Sequence, residues 1–263
     1  IDKIDERQLF VPAFQREYVW KRNNAKDLIS SLIYDYPTGT MLTWETNTPP
    51  KLKGDHKYDE RQGAVKLILD GQQRITTLYM LITGNIPPYY KDHEILIDIR
   101  NLCVNVKTLS LEYYKPKTMQ NDPLWIKLTD IFQGKVRSRN VVNDLKKKLD
   151  GDPIETKIED IIDDNFHKIE KIKDREFKEQ TIPPKASLKE AIDIFYIVNA
   201  AGVNLTDAEL ALAQISGYWP EARELFKAKL KDLEKNGFVF KLDFIIYVLL
   251  GILYNMGSKL EKL

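Results

Sequence analysis

The sequence predicts an α+β fold, with a small mixed sheet and helices in residues 1–124 and a mostly helical region in residues 125–263. Short apolar runs bounded by turn residues alternate with amphipathic segments in the first part. Apolar residues recur at three-and-four spacing through most of the second part. The 263 residues are 43% hydrophobic, so the chain is long and apolar enough to bury a real core.

Turn residues and hydrophobic periodicity divide the first part into its elements. Pro12 biases Val11 away from helix, and Pro37 with Gly39 ends the first amphipathic helix. Gly84 closes the next helix, at a position that needs left-handed backbone. The sequence predicts an extended start at 11–20 and then a helix at 23–36, whose apolar face consists of Ala25, Leu28, Ile29, Leu32, Ile33 and Tyr36. It next predicts strands at 40–45 and 65–70, separated by a loop at 46–63. A helix at 75–84 follows, and then two strands at 94–99 and 101–106 that could pair as a hairpin.

Capping signals mark the helices of the second part. Ser187 with Glu190, and Thr206 with Glu209, have the spacing of three that a reciprocal capping box requires. One further helix is predicted by its apolar stripe, which consists of Ile158, Ile161, Ile162, Phe166, Ile169 and Ile172. Another helix is expected to end near Gly202, and the next to run from Pro220 to Gly237. The last predicted helix, at 243–254, is expected to be strongly buried.

Charge and cysteine content limit the classes of function. Forty Lys and Arg against 39 Asp and Glu leave a net charge of +1, so any contact with DNA must use a local patch. The single Cys103 cannot form an internal disulfide, and no Cys/His spacing suggests zinc, which favours a reducing, cytoplasmic setting. The N-terminus is charged rather than signal-like, and the longest apolar run is about half the ~20 residues that span a bilayer. We expect a soluble protein with no membrane contact, and the missing initiator Met suggests an excerpt of a longer chain.

The segment LILDGQQRITTL (67–78) has the residues of an anion site. A strand that passes directly into a helix aims the helix's first N–H groups and its dipole beyond the strand. Gly71 lets a ligand approach the backbone, Arg74 offers a planar fork for phosphate oxygens, and Thr76 and Thr77 add hydroxyls. Asp70 would repel phosphate unless it holds a metal ion or positions a water molecule.

A purely structural interpretation of the same segment stays open. Asp70 would then be the helix N-cap, Gly71 a turn residue, and the glutamines and Arg74 polar surface groups. The segment is in any case not a Walker A loop, because GxxxxGK[ST] occurs nowhere in the chain.

Four blocks follow one another along the chain, namely VPAFQREYVW, YPTGTMLTW, ILDGQQRITTL and FYIVNAAGVNLTDAEL. Together they resemble the nucleotide-hydrolysing ParB/sulfiredoxin-like domain of the GmrSD-type, modification-dependent restriction proteins, over roughly residues 4–250. The resemblance implies a ParB/sulfiredoxin-like fold and a role in bacterial defence against phage or foreign DNA. It also implies a nucleoside triphosphate as substrate, with Mg²⁺, and an HNH-type nuclease module in cis or in trans.

The resemblance also assigns residues by position. It implies hydrolysis by Asp70, Gln72, Gln73 and Arg74, and it places Gln15, Arg16, Tyr18 and Trp20 in the same cleft or on an adjacent DNA-reading surface. Together with the anion-site residues Gly71, Thr76 and Thr77, Gln15 and Arg16 are the predicted nucleotide-binding residues. Tyr18 and Trp20 are the predicted contacts with DNA or a base. Gln72 or Gln73 would orient the attacking water, and Asp70 would hold Mg²⁺ or accept a hydrogen bond from that water. Phe14, Tyr18 and Trp20 could stack on a base or could belong to the core.

The last block matches the family less completely. Its matching positions are Phe195, Asn199, Gly202, Leu205, Glu209 and Leu210. At Ile197 the family usually carries an arginine, which weakens a phosphate-binding role for this helix. Asn199 could simply cap a helix end.

No nuclease site is visible in the sequence. His56, His93 and His167 are isolated, and none stands in an arrangement that could hold a metal or activate water, so we expect surface or turn residues. Cys103 lies in an apolar strand, where an inert buried thiol is expected. The leading prediction is a nucleoside triphosphatase and regulatory, DNA-sensing domain, with a homodimer as a possible state. The alternative is a non-hydrolysing nucleotide- or DNA-binding sensor or adaptor.

Overall fold

The computed structural model describes residues 1–54, 57–148, 155–201, 206–219 and 221–254, without the side chains of residues 93, 196, 199–201, 207, 210 and 254. In chain order its strands are β1 (Leu9–Phe10), β2 (Met41–Thr46), β3 (Val65–Asp70), β4 (Leu102–Asn105), β5 (Leu111–Tyr113), β6 (Trp125–Lys127) and β7 (Glu179–Ile182). Its α-helices are α1 (Asp2–Asp5), α2 (Arg22–Ile33), α3 (Gln72–Thr83), α4 (Pro116–Met119), α5 (Leu128–Phe132), α6 (Ser138–Lys148), α7 (Thr156–Glu170), α8 (Leu188–Ala201), α9 (Asp207–Tyr218), α10 (Ala222–Lys235) and α11 (Leu242–Tyr254).

The chain forms two compact units, each built from separate stretches of sequence. Unit 1 comprises Ile1, Tyr18–Thr40 and Gly71–Lys178, and unit 2 comprises Asp2–Glu17, Met41–Asp70 and Glu179–Leu263. Small sheets, many helices and a helical C-terminal region confirm the predicted α+β class. The domain boundary at residue 124 stays a prediction.

A four-stranded mixed sheet in the order β1-β3-β2-β7 forms the centre of unit 2. β3 pairs in parallel with β1 and antiparallel with β2, and β2 pairs in parallel with β7. The strands predicted at 40–45 and 65–70 are therefore confirmed as β2 and β3. β6 and β7 lie in the second part of the chain, which is otherwise mostly helical, as predicted.

Two apolar clusters stabilise unit 2. The sheet and α8, with one residue of α9 and one of the segment after β1, share a core of Phe10, Phe14, Leu42, Trp44, Val65, Leu67, Leu69, Ile182, Ala191, Ile192, Phe195 and Ala213. Helices α9, α10 and α11 share the second cluster, which includes Ile246 and Leu250. The strong burial predicted for the last helix is wrong, because Phe244, Val248 and Ile252 stand exposed along one side of α11.

A three-stranded antiparallel sheet in the order β5-β4-β6 belongs to unit 1. The central strand β4 is buried at every residue and confirms the strand predicted at 101–106. The strand predicted at 94–99 is wrong, since Leu96 is 86% exposed and a 3₁₀ turn covers Asp92–Glu94. β5 and β6 already occupy both edges of β4, so no edge is left for it.

Helices α2 and α3 pack against each other in unit 1. α2 buries the predicted face from Ala25 to Ile33, but it ends before Tyr36, because Asp35 adopts a φ of 60° and turns the chain. Tyr36 is consequently exposed, against the prediction. α3 ends at Gly84 with a φ of 73°, as predicted.

The helices of the second part follow their capping signals. Both predicted capping boxes are confirmed by reciprocal bonds, between Ser187 and Glu190 and between Thr206 and Glu209. The stripe on α7 and the turn after it buries Ile162, Phe166, Ile169 and Ile172 and leaves Ile158 and Ile161 half-buried. The predicted ends at Gly202 and Pro220 lie outside the described residues. Within the described residues, no helix is long and apolar enough to cross a membrane.

Candidate functional site

The motif segment changes from strand to helix at Gly71. β3 ends at the half-buried Asp70 in unit 2, and Gly71 is the N-cap of α3 in unit 1. Gly71 is buried and has a φ of 94°, in the left-handed region that glycine adopts without a steric cost. No side chain caps the start of the helix. The interpretation of Asp70 as the N-cap is therefore wrong, because the backbone places Gly71 at that position.

The two glutamines of the motif are buried and bonded within unit 1. The Nε2 of Gln72 donates to the Tyr90 hydroxyl at 2.5 Å. The Oε1 of Gln73 accepts from the backbone N–H groups of Val19 at 2.9 Å and Trp20 at 3.2 Å. A buried amide that satisfies two backbone donors fixes the path of that backbone. Gln73 thus anchors the end of the first sequence block at the start of α3, and orientation of water by either glutamine stays a prediction.

Arg74 ties a second block to the same helix. Its Nη1 donates to the carbonyl of Thr38 at 2.5 Å and its Nη2 to the carbonyl of Thr40 at 2.8 Å. Gly39, between them, has a φ of 83°, and a Cβ there would lie 2.8 Å from Nη1. The planar guanidinium therefore clamps the YPTGT turn, which glycine allows to come close. Phosphate binding by Arg74 stays a prediction.

The threonines of the motif form hydrogen bonds inside unit 1. The hydroxyl of Thr77 donates to the Gln73 carbonyl at 2.8 Å and accepts from the Tyr18 hydroxyl at 2.9 Å. The hydroxyl of Thr76 lies 2.9 Å from that of Tyr89. Burial raises the pKa of Tyr18 to about 12 and the pKa of Tyr89 well above its usual value, so both phenols keep their protons at neutral pH. This burial favours the core interpretation of Tyr18; ligand contacts by these residues stay predictions.

Three sequence blocks thus meet at the first turns of α3. Gln73 accepts hydrogen bonds from the backbone of Val19 and of the half-buried Trp20, and Thr77 is bonded to Tyr18. Arg74 donates to the turn at 38–40. All of these contacts lie within unit 1. The blocks that carry the family resemblance are therefore joined by direct hydrogen bonds rather than by sequence order alone.

The Phe-Gln-Arg block lies against the end of β3 in unit 2. The buried Gln15 donates through Nε2 to the carbonyls of Leu69 at 2.6 Å and Ile68 at 3.3 Å. These carbonyls belong to the two residues before Asp70, so Gln15 fixes the end of the strand that carries the motif carboxylate. This position explains a glutamine at 15 by backbone satisfaction. Nucleotide binding by Gln15 stays a prediction.

Arg16 and the last block also meet in unit 2. The Nη1 of the half-buried Arg16 lies 4.0 Å from Oε1 of Glu209, whose side chain completes the capping box of α9. Phe195 packs in the sheet core, 6.0 Å from the ring of Phe14. Ile197, where the family usually carries an arginine, is exposed. Gly202 and Leu205, with the side chains of Asn199 and Leu210, lie outside the described residues.

A buried ammonium group, missed by sequence reasoning, supports the same block. Lys53 donates to the carbonyls of Gln15 at 3.3 Å and Arg16 at 2.8 Å, and it pairs with Glu17 at 3.0 Å. Burial lowers the pKa of Lys53 to about 8, and the carboxylate of Glu17 opposes this shift. No spacing in the sequence points to Lys53, because its partners lie in a distant segment.

Two further cations from α10 complete this cluster. Arg223 is buried and donates to the carbonyl of Phe14 at 2.9 Å, and Lys227 pairs with Glu17 at 2.7 Å. Burial alone would raise the pKa of Glu17, but the ammonium groups of Lys53 and Lys227 lower it below its usual value. The backbone of residues 14–16 is thus held by buried positive charge, which makes this block rigid.

The described residues contain no group of three or more His, Cys, Asp or Glu side chains that could hold a metal ion. His167 is exposed, whereas His56 and the side chain of His93 lie outside the described residues. Cys103 is buried in β4, and burial raises the pKa of its thiol to about 11. The expectation of a buried thiol is confirmed.

Comparison with known proteins gives two similarities. Residues 1–216 match the family model described as GmrSD restriction endonuclease, N-terminal domain. An uncharacterized protein of Methanocaldococcus jannaschii is 33% identical over 114 residues, which cover 39% of this chain and 20% of that protein. The chain therefore spans about a fifth of the length of this relative.

Proposed function

The chain belongs to the family of GmrSD restriction endonuclease N-terminal domains, a family of modification-dependent restriction systems, and on this basis we propose a nucleoside triphosphatase and regulatory, DNA-sensing domain of bacterial anti-phage defence. The observation that carries the proposal is the meeting of three sequence blocks at the first turns of α3. Groups that must be placed within fractions of an ångström for catalysis need this kind of support from their surroundings.

Arg74 is the residue we propose to bind phosphate. Charge-assisted bonds from a guanidinium to phosphate oxygens are stronger than bonds to neutral carbonyls. A triphosphate would therefore compete for the fork that holds Thr38 and Thr40, and Arg74 would offset charge that develops during hydrolysis. If Arg74 released the carbonyls of Thr38 and Thr40 to bind phosphate, the turn at 38–40 would be free to change conformation when nucleotide binds.

The remaining motif residues have proposed roles in water activation and metal binding. Gln72 or Gln73 would orient the attacking water, and Asp70 would accept a hydrogen bond from it or hold Mg²⁺. A single carboxylate fits Mg²⁺, which is commonly bound by one or two carboxylates together with substrate phosphates and water. When bound, the ion neutralises part of the polyphosphate charge.

A non-hydrolysing sensor or adaptor is the second candidate. It is favoured by the burial of both motif amides and by their bonds to Tyr90, Val19 and Trp20. Amides that are engaged in this way position backbone, and water activation would require them to change partners. The two candidates differ in turnover, because the sensor binds a nucleotide or DNA without releasing phosphate.

The proposal includes partners. Hydrolysis would switch an HNH-type nuclease module, in cis or in trans, on modified phage DNA, and the domain could act as a homodimer. A cytoplasmic location stays a prediction that rests on the single cysteine.

The test is phosphate release by the purified chain with Mg²⁺ and each of the four common nucleoside triphosphates. Arg74→Lys keeps the charge and removes the planar fork, so we expect phosphate release to fall at least about tenfold. Arg100→Lys is the matched control, because Arg100 uses its fork on Asp98 and the Gly84 carbonyl, outside the motif. Nucleotide binding without release would support the sensor, and equal loss in both variants would reduce Arg74 to a structural role.

A further inference from the structure

Unit 1 contains a wide surface cavity, open to solvent, that the motif does not use. Its volume is about 670 Å³, within the range of roughly 300–1,000 Å³ that small-molecule sites occupy. The cavity lies beside the β5-β4-β6 sheet and helices α4, α5 and α6. Its chemically distinctive lining residues are Tyr114, Trp125, Lys127, Asp130 and Lys148.

The lining suits a flat, hydrogen-bonding ring. Tyr114 is 41% exposed and Trp125 is half-buried, so both rings offer accessible surface for stacking. The ammonium of Lys127 lies 5.8 Å from the centre of the Tyr114 ring. The half-buried Asp130 carboxylate accepts no hydrogen bond from any described residue and can accept from an exocyclic amino group.

The same region concentrates positive charge. Residues 115–148 contain nine Lys and Arg and three Asp, a net charge of +6 in a chain whose total is +1. Lys135 and Arg137 flank Val136, which lines the cavity, and Lys117 lies on α4 beside the lining residue Met119. These three cations are exposed and form no ion pair with a described carboxylate. The excess charge is thus available next to the cavity.

We propose that this cavity receives a nucleobase extruded from duplex DNA, while the cations around it contact the flanking phosphates. The inference rests on the proposed DNA-sensing function and names where the DNA is read. A polyanion explains the local charge, and an extruded base explains why aromatic rings and an acceptor carboxylate lie beside it.

The base preference follows from Asp130. The side-chain oxygens of Asp130 accept the amino hydrogens of cytosine N4 or adenine N6, but they repel the O4 acceptor of thymine. The cavity therefore selects an amino-bearing base.

Fluorescence anisotropy with labelled duplexes of about 20 base pairs tests base extrusion. Extruding an unpaired base costs less, so a duplex with a central cytosine mismatch should bind at least about fivefold tighter than the matched duplex. Trp125→Ala should remove this difference, while Trp125→Phe should retain part of it and report whether the strand still folds. Equal affinity for both duplexes, or a preference that survives Trp125→Ala, would overturn the inference.

A second substitution tests the same cavity with little risk to folding. Asp130→Asn keeps the side-chain shape, and its amide can donate to thymine O4 as well as accept from an amino group. We expect the wild type to prefer a mismatched cytosine to a mismatched thymine, and Asp130→Asn to reduce that preference. A wild type that binds both alike would contradict the selection of an amino-bearing base.

The phosphate contacts have their own signature. Lys135→Ala with Arg137→Ala should weaken matched and mismatched duplexes alike and reduce the salt slope of log Kd by about two. Lys157→Ala with Lys168→Ala, on the exposed side of α7, is the matched control and should change neither quantity. An equal effect of both pairs would indicate general electrostatic attraction to DNA and would contradict phosphate contacts beside the cavity. These measurements contain no nucleotide and no Mg²⁺, so they succeed or fail independently of triphosphate hydrolysis.

Discussion

Gly39→Ala should destabilise the protein far more than an equally strained glycine substitution elsewhere. Gly39 has a φ of 83°, and a Cβ there would lie 2.8 Å from Nη1 of Arg74. Gly237, after the end of α10, has a φ of 85°, and a Cβ there would meet nothing within 4 Å. The two positions therefore share the backbone cost, and only Gly39 carries the additional cost of displacing the Arg74 fork.

The magnitudes follow from these two contributions. A non-glycine residue in left-handed backbone costs about 1–2 kcal/mol, which should be the whole effect of Gly237→Ala. Displacing Nη1 removes its bond to the Thr38 carbonyl, and a hydrogen bond from a charged group contributes about 1.5–3 kcal/mol. Gly39→Ala should therefore reduce the free energy of unfolding by roughly 2.5–5 kcal/mol.

Urea denaturation followed by circular dichroism provides the measurement. The excess of Gly39→Ala over Gly237→Ala should disappear when both are introduced into Arg74→Ala, because the clamp is then already absent. Equal effects of the two glycine substitutions in the wild-type background would refute the argument that Arg74 holds the turn. An excess that persists without Arg74 would show that another neighbour of Gly39 is responsible.

Two further predictions concern unit 2. Thr206→Ala removes one arm of the capping box of α9 and should lower the free energy of unfolding by about 1 kcal/mol, and an unchanged urea midpoint would contradict this. Because burial lowers the pKa of Lys53 from 10.5 to about 8, the unfolded chain binds more protons between these two pH values, so folding stability contributed by this residue rises with pH. Relative to Lys53→Met, the wild type should gain stability from pH 8 to pH 10, and parallel curves for the two proteins would count against the burial of a charged Lys53.

Elements were predictable where their own residues determine the backbone. Gly84 ends α3 because few other residues adopt a φ of 73° without strain, and a helix-period pattern that stops at such a glycine indicates the end. The capping boxes of Ser187 and Thr206 are equally local, since each involves two residues three positions apart. β2 and β3 were predictable because both are apolar runs between clear turn signals.

The strand partners were not predictable, because pairing depends on which edge is available. Residues 94–99 have an apolar pattern but form no strand, whereas the three-residue strands β5 and β6 take both edges of β4. β7 has almost no strand signal and exists because the edge of β2 accepts it in parallel. The burial of helix α11 also depended on packing. Its apolar composition predicted strong burial, but Phe244 and Val248 are exposed.

The site shows the same division. Its motif, family and candidate residues came from the sequence, and the family match over residues 1–216 confirms the family. The hydrogen-bond partners of those residues could not be predicted from the sequence, because they lie in distant segments. Gln73, for example, contacts the backbone of Val19, and Lys53 contacts the backbone of Arg16.

The sequence alone determined the positions of the candidate site residues along the chain and the ends of several helices. These ends are local features, because the backbone preferences of glycine, proline and capping residues act over a few positions. The tertiary structure alone decided that Arg74 clamps the turn at 38–40 and that an aromatic, positively charged cavity lies beside Asp130. Hydrogen bonds and cavities join groups that are distant in sequence, and only the packing of the whole chain selects which of them meet.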